Sequence, residues 1–441
     1  MIPNLEKYAS YEKASEEYRI LIPDAFNIAE AICKGHQDAA TRIALIECKP
    51  GGSNTYTFGA ISFFSDKFAS VLESRGVVAG ERVAVTLRQS AALPIAHLGA
   101  LKIGATIVPL PPFLEQSELE FVLKDSSAKA LVIDSLALKQ TRAFAGGLPS
   151  VGSVFVASDE GDRLRIEGGE LDFWREVYAA SSDIQPEQTR AATPAYIFYS
   201  TGRDTPGPGI IHGHGLLAAN LPGFEMVNNF DLGADTVFYS LGDWADVNSL
   251  FGMLFPAWLY GRPVVAGPAW IFVHPDMFEL FERCAVTNLY LEPDEIDNLI
   301  REVSDPWSEY DLKIRNLSSF NAPHMPWIRA SFSASANHAF CPVGSGVVLA
   351  TCEKWFPHRS RSLGCAVPGH RVEIIDQSGQ PLPPGQTGHI AIERSDPSLF
   401  IDYLNASKET LNIFIDDWYL TGTTGYKDEE GYFWPDETVG P

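Results

Sequence analysis

Residues 196–214, YIFYSTGRDTPGPGIIHGH, decide how this chain is read. The apolar run from Tyr196 to Tyr199 has the character of a buried strand. It breaks into Ser200, Thr201, Gly202, Arg203 and Asp204, and after the prolines and glycines leads to the apolar Leu216, Leu217, Ala218 and Ala219. That order predicts a strand, a glycine-rich loop and a helix. Such a turn suits phosphate, because glycines let backbone N–H groups converge and a helix start adds positive dipole. A basic residue at the end of the loop is missing, however, and taken bare the segment reads equally well as a surface loop.

Working outward, 441 residues suffice for two to four structural units with a sizeable core. A content of 45% hydrophobic and 20% charged residues fits a soluble globular chain. With 33 basic against 56 acidic residues the net charge is -23, which argues against nucleic acid or an anionic membrane as general partner. Six cysteines are widely spread, without close pairing, and predict a reducing compartment. His358 and His370 interleave with Cys352 and Cys365, but that spacing suits no common zinc module, so no metal is expected. The first residues are polar and charged and no apolar run approaches a membrane span, so the expected location is the cytoplasm.

From Phe58 the pattern is α/β. Ile61, Phe64, Phe68, Val71 and Leu72 recur at helical spacing, and 82–87 reads as a strand. The alternation continues with a helix at 91–101, a strand at 106–110, a helix at 117–125 and a strand at 130–134. Short, fully apolar strands between helices imply mostly parallel sheets covered on both faces. A second α/β set is expected with strands near Tyr196, Val237, Val264 and Leu289. From about Val343, turn signals and short strands predict an antiparallel, barrel-like piece. The predicted units are 1–190, 191–342 and 343–441.

In order along the chain stand Leu101-Lys102-Ile103-Gly104-Ala105, Val108-Pro109-Leu110, the 199–214 loop, Pro368-Gly369 with Val372-Glu373-Ile374-Ile375-Asp376, and Leu382-Pro383-Pro384-Gly385. Trp418-Tyr419-Leu420-Thr421-Gly422 and Gly425-Tyr426-Lys427-Asp428 through Trp434 complete the set. The chain resembles the large amino-terminal domain of the adenylate-forming ligases, in the branch of acetyl-, medium-chain and benzoate-type acyl-CoA synthetases. The resemblance implies a two-step reaction. A carboxylate attacks the α-phosphorus of magnesium-bound ATP to give an acyl adenylate, and a thiol then displaces AMP. Positioning and charge carry the first step, so the charged residues decide whether the activity survives.

Against the family's Thr-Ser-Gly-Thr-Thr-Gly-x-Pro-Lys-Gly, the lysine position is Pro208, and Asp204 brings a carboxylate to the pyrophosphate's place, with Arg203 the one candidate to restore charge. The adenine slot, Ser-Gly-Gly-Ala-Pro in relatives, resembles Ser319-Phe320-Asn321-Ala322-Pro323, and Phe320 is expected to fill it. The turn that carries the magnesium-binding glutamate in relatives resembles Gly344-Ser345-Gly346-Val347, with valine where the acid belongs and Glu353 the nearby acid. The ribose-gripping aspartate is replaced by Thr423, which loses a charged two-oxygen acceptor. The arginine that follows in relatives has no counterpart in Pro435 to Pro441. The resemblance also implies that the small carboxy-terminal domain, with its adenylation lysine, is absent.

His212, His214 and Trp244, with Asp243 and Asp246, resemble the segments that line the acyl site, although histidines two apart on a turn also suit a solvated loop. Removing one charge-stabilising donor costs roughly 2.7 to 4 kcal/mol, and several such changes fall in one pocket here. The expectation is an acyl-CoA synthetase-like domain with an eroded ATP site. It would be inactive alone and act as a binding, regulatory or structural subunit, paired with a competent ligase or other protein, with a small acyl ligand possible. Two alternatives stand beside it. One is a working AMP-forming ligase that uses magnesium and ATP, with Arg203 as phosphate ligand and the missing domain supplied by a partner chain. The other is a transferase acting on a ready-made thioester.

Overall fold

The computed structural model describes residues 2–49, 51–112, 114–135, 137–138, 142, 151–158, 166–200, 206–267, 274–302, 310–320, 325–406 and 413–436. Its framework is two large sheets with buried helices between them, and a smaller antiparallel sheet at the carboxy-terminal side.

The first sheet is built on Arg82–Thr86, Thr106–Pro109, Ala130–Asp134 and Ser153–Ala157, all parallel neighbours or near neighbours. Arg82–Thr86 and Ala130–Asp134 are buried at nearly every position because helices cover both faces. Pro194–Phe198 joins this sheet beside Thr106–Pro109, with Tyr196 opposite Ile107. The strand at Tyr196, expected in the second α/β set, therefore belongs to the first sheet. The second sheet takes Ile43–Lys49 from before the helix Phe58–Ser74 and sets it against Val264–Ala266, in register Leu45 to Val264. Sheet membership follows which apolar strands can bury both faces together rather than order along the chain.

The second sheet continues through Phe238–Ser240, Asn288–Tyr290, Asn316–Phe320 and Ser335–Phe340, again parallel. Antiparallel strands close its edges, Gly52–Thr57 on one side and Leu349–Ala350 with Cys365–Ala366 on the other. The barrel-like piece is a five-stranded antiparallel sheet, Val372–Ile375, Gly388–Glu393, Trp418–Lys427, Phe414–Ile415 and Phe433–Pro435.

Between the large sheets lie two helices buried along their whole length, Ala92–Lys102 and Leu216–Val227. A helix buried all round reads as uniformly apolar, and these two do, apart from a few engaged polar groups. Lys102 is one of them: its ammonium is 2.6 Å from Asp66 and also donates to the Ser65 hydroxyl. Phe58–Ser74 crosses Ala92–Lys102 so closely that a Cβ on Gly99 would stand 2.9 Å from the Ser65 carbonyl oxygen. No helix among the described residues is long and apolar enough to cross a membrane.

Candidate functional site

The glycine-rich loop closes a β-hairpin. Pro194–Phe198 and Ile210–Gly213 pair antiparallel, with Phe198 opposite Ile210. The helix Leu216–Val227 starts only after the return strand, at the end of the hairpin away from the loop. The expected strand, loop and helix order is thereby corrected: a four-residue strand intervenes, and that helix N-terminus does not face the loop. Thr201, Gly202, Arg203 and Asp204 lie outside the described residues. Ser200 and Pro208 are exposed at the two sides of the loop. The base of the loop is fixed. The Tyr199 hydroxyl donates to Asp125 at 2.8 Å, Gly207 N–H donates to the Ser200 carbonyl at 3.3 Å, and a Cβ on Gly209 would stand 2.7 Å from Ile197.

A short segment lashes this hairpin to the rest of the site. Leu404 N–H donates to the Gly209 carbonyl at 2.6 Å, Ile401 N–H to Ile211 at 2.7 Å, and Phe400 N–H to Gly344 at 2.8 Å. The Tyr419 hydroxyl donates to the Val343 carbonyl. Hairpin, Gly344 turn and the strand Trp418–Lys427 are thus brought together, as the motif order implied.

The turn after Ser335–Phe340 spans residues 341–348, CPVGSGVV, and contains no carboxylate. Gly344 sits at φ +85, and a Cβ there would meet the Phe400 ring at 2.9 Å. Val347 is 3% exposed, its N–H donates to the Asn220 side-chain oxygen at 2.8 Å, and its side chain packs on Gly223 of the buried helix. Glu353 is paired with Arg329. On the third sheet Thr423 is half-buried, and its N–H donates to the Thr421 hydroxyl at 3.2 Å. The neighbouring Gly422, at φ +82, has open space where a side chain would project. Phe320 ends the strand Asn316–Phe320, but its side chain, like Asn321, lies outside the described residues.

The two histidines differ in role. Ile28 N–H donates to His214 Nδ1 at 3.1 Å, so this ring caps the helix Ile28–Cys33 and is committed to the fold. His212 is opposite Tyr196, lies edge-on to Phe198 with ring centroids 5.9 Å apart, and its Nδ1 has no hydrogen-bond partner among the described residues. On the same aromatic wall the Tyr196 hydroxyl and His97 Nδ1 share a hydrogen bond at 3.2 Å, and His97 Nε2 has no partner among the described residues. Burial pushes His97 and His212 down to about 3 and His214 to about 4. All three are neutral near pH 7 and supply no positive charge for a triphosphate.

Trp244 is fully buried, and its indole N–H has no partner among the described residues. It follows the carboxyl end of Phe238–Ser240, on the side of the sheet where open α/β folds hold ligands. Carboxyls gather there: Asp243 and Asp246, named with Trp244 in the sequence reading, are joined by Glu292 and Glu295, which it missed. Burial raises Asp243 to about 6, Glu292 to about 7 and Glu295 to about 8. Asp246 is solvent-accessible yet walled in by protein, and its carboxyl is also pushed up by burial. Glu292 and Glu295 are partly explained by local structure. Glu295 accepts from Glu292 N–H at 2.8 Å to cap the helix Pro293–Glu302, and the Tyr290 hydroxyl donates to Glu292 at 2.5 Å. The available signal was an acid run directly after an apolar strand, Leu289 to Glu295. Gln89 was missed too. Its amide donates to the Ser240 and Gly242 carbonyls at 2.9 and 2.8 Å and accepts from Gly267 N–H, fixing the start of the Trp244 segment. Among the described residues no group of His, Cys, Asp and Glu could hold a metal ion. His370, weighed above with the cysteines, is instead bound to Asp396 at 2.9 Å.

The profile described as AMP-binding enzyme matches residues 33–404, and the chain belongs to that family. A mitochondrial acyl-coenzyme A synthetase, ACSM3, of Mus musculus is 24% identical over 447 residues, covering 97% of this chain and 75% of the relative. An acetyl-coenzyme A synthetase of Bacillus subtilis is 26% identical over 394 residues, covering 86% of this chain and 66% of the relative. The crystal structure of a Brucella canis acyl-CoA synthetase superimposes with a TM-score of 0.84 at 22% identity, covering 98% of this chain and 80% of that one. That of the anthranilate CoA ligase AuaEII, in complex with anthranoyl-AMP, gives 0.83 at 20% identity, over 96% and 79% of the two chains. The α/β architecture read from the sequence is the fold of these proteins.

Proposed function

We propose that this chain has kept the acyl-CoA synthetase scaffold of its family and lost productive magnesium-ATP chemistry. It serves in the cytoplasm as a binding or regulatory subunit, paired with a competent ligase or another protein. The observation that carries this reading is the turn 341–348. It offers no carboxylate in any register, its Val347 is locked in the core, and the neighbouring Glu353 is held by Arg329. A magnesium ion bridging phosphates needs hard oxygen ligands, so these residues do not fit a magnesium-ATP complex. Pro208 in place of a lysine, Thr423 in place of an aspartate and the neutral His97 and His212 point the same way. A small acyl ligand remains compatible with the unpartnered Trp244 and His212 nitrogens.

The test is pyrophosphate–ATP exchange by the purified chain with carboxylates from acetate to benzoate. Exchange no faster than with heat-inactivated protein is expected. Carboxylate-dependent exchange that disappears in Arg203→Ala would make the chain a working ligase instead.

A further inference from the structure

The cysteines are not all isolated. Cys48, on the strand Ile43–Lys49, and Cys284, just past the helix His274–Arg283, are 236 positions apart in sequence, and their sulfurs are 3.4 Å apart. Both are held rigidly. Cys48 sits opposite Ser53 of the edge strand, and Cys284 N–H donates to the Leu280 carbonyl at 2.9 Å. Phe281, Tyr239 and Val286 belong to the same core cluster. Both residues are buried, with exposures of 4% and 9%, which bars a bulky oxidant and leaves a molecule as small as hydrogen peroxide as the oxidant to consider.

We propose that Cys48 and Cys284 are a redox-responsive dithiol, oxidised by a small peroxide to a reversible disulfide that ties the helix His274–Arg283 to the strand Ile43–Lys49. The sulfurs are already in van der Waals contact, and a bond of about 2.05 Å needs only a small further approach.

The two thiols are not equivalent. The hydrogen bond from Cys284, and then the exposed Arg283 guanidinium, hold Cys48 below the ordinary thiol range. Cys284 is pushed the other way, by its hydrogen bond to Cys48 and then by burial, and keeps its proton. Burial pushes Cys33, Cys341, Cys352 and Cys365 upward, so Cys48 stands apart from all four. A nucleophilic thiolate beside a protonated resolving thiol is the arrangement that favours sulfenic acid formation and capture.

In the first step the Cys48 sulfur attacks one peroxide oxygen, the O–O bond breaks, and the departing hydroxide takes a proton as water. In the second the Cys284 sulfur attacks the Cys48 sulfenic sulfur, the S–O bond breaks, and a second water leaves with the Cys284 proton. Two thiols lose two hydrogens while hydrogen peroxide becomes two waters.

The test treats the native chain with a small excess of hydrogen peroxide, then maps its peptides without reduction. Two of the six thiols are expected to disappear. A linked pair of peptides carrying Cys48 and Cys284 should appear, two hydrogens lighter than the separate peptides, and dithiothreitol should restore both. In Cys284→Ala, Cys48 should stop at the sulfenic acid and be trapped by dimedone, whereas Cys33→Ala should bridge like the parent. The proposal is overturned if the parent keeps both thiols free while other cysteines oxidise, or if Cys48 accumulates as sulfinic acid with no bridge. The parent chain decides the matter even if a variant fails to fold.

Discussion

Glu225 lies in a helix that is otherwise almost wholly apolar, and three donors explain it. Asn4 N–H, Leu5 N–H and the Tyr260 hydroxyl reach its carboxylate at 2.8, 2.6 and 2.5 Å. Glu225→Ala leaves these groups unanswered in a buried place and should cost about 3 kcal/mol, read as a lower urea midpoint at unchanged slope. A second buried pair sets a pH dependence. Burial alone would drive His370 neutral, but the Asp396 carboxylate outweighs it and raises the imidazole above its ordinary value, while Ala219 accepts at its other nitrogen. Burial likewise opposes the charge on Asp396, and His370 with Ser398 overcomes it and lowers that carboxyl. The raised histidine contributes stability that is complete below its unfolded value of about 6.5 and is lost as pH rises through its folded value. The lowered aspartate contributes above its unfolded value of about 3.9 and is lost as pH falls through its folded value. The native midpoint should therefore fall from pH 6 to pH 9. In Asp396→Asn the ion pair is gone and only the Ala219 carbonyl opposes the burial of His370, so the midpoint should fall by less than in the parent over that span. Neither role was legible beforehand: Glu225 and His370 show in the sequence only as polar letters among apolar ones, and their partners are 220 and 26 positions away.

At the scale of elements, the hairpin is what the sequence hid. Residues 196–199 are apolar and 210–213 begin with two isoleucines, but a four-residue strand carries no period that distinguishes it from the start of a helix. The glycines did mark the turn correctly. Gly209 is required by the close approach of Ile197 and Tyr199, and Gly209→Ala should destabilise the chain by about 1 to 3 kcal/mol through displaced side chains. Gly99→Ala should do at least as much, because its new Cβ meets Ser65 backbone rather than a movable side chain. Thermal melts of the two variants against the parent check both. The long helices were readable because their apolar spacing is sustained: 61–72 falls within Phe58–Ser74, and 117–125 within Gln116–Ser126.

For the molecule as a whole, the alternation of helices and apolar strands carried the α/β architecture, and the ordered motifs carried the family. What the sequence concealed were contacts between distant segments. Ile43–Lys49 crosses into the second sheet, Pro194–Phe198 joins the first, and Cys48 meets Cys284, although the cysteines had looked unpaired. The candidate site shows in the sequence as letters that depart from the family pattern, and the structure adds that Val347 and His214 are committed to packing and capping. The eroded nucleotide site is the central claim, and calorimetric titration of the chain with magnesium-ATP, alongside AMP and coenzyme A, tests it most directly. A ligand at a hundred times its dissociation constant adds about 2.7 kcal/mol to a fold that alone binds it, so a thermal melt of the same samples gives an independent reading. The account predicts no binding heat and no shift of the melt with magnesium-ATP. Micromolar binding with a raised melting temperature would contradict it.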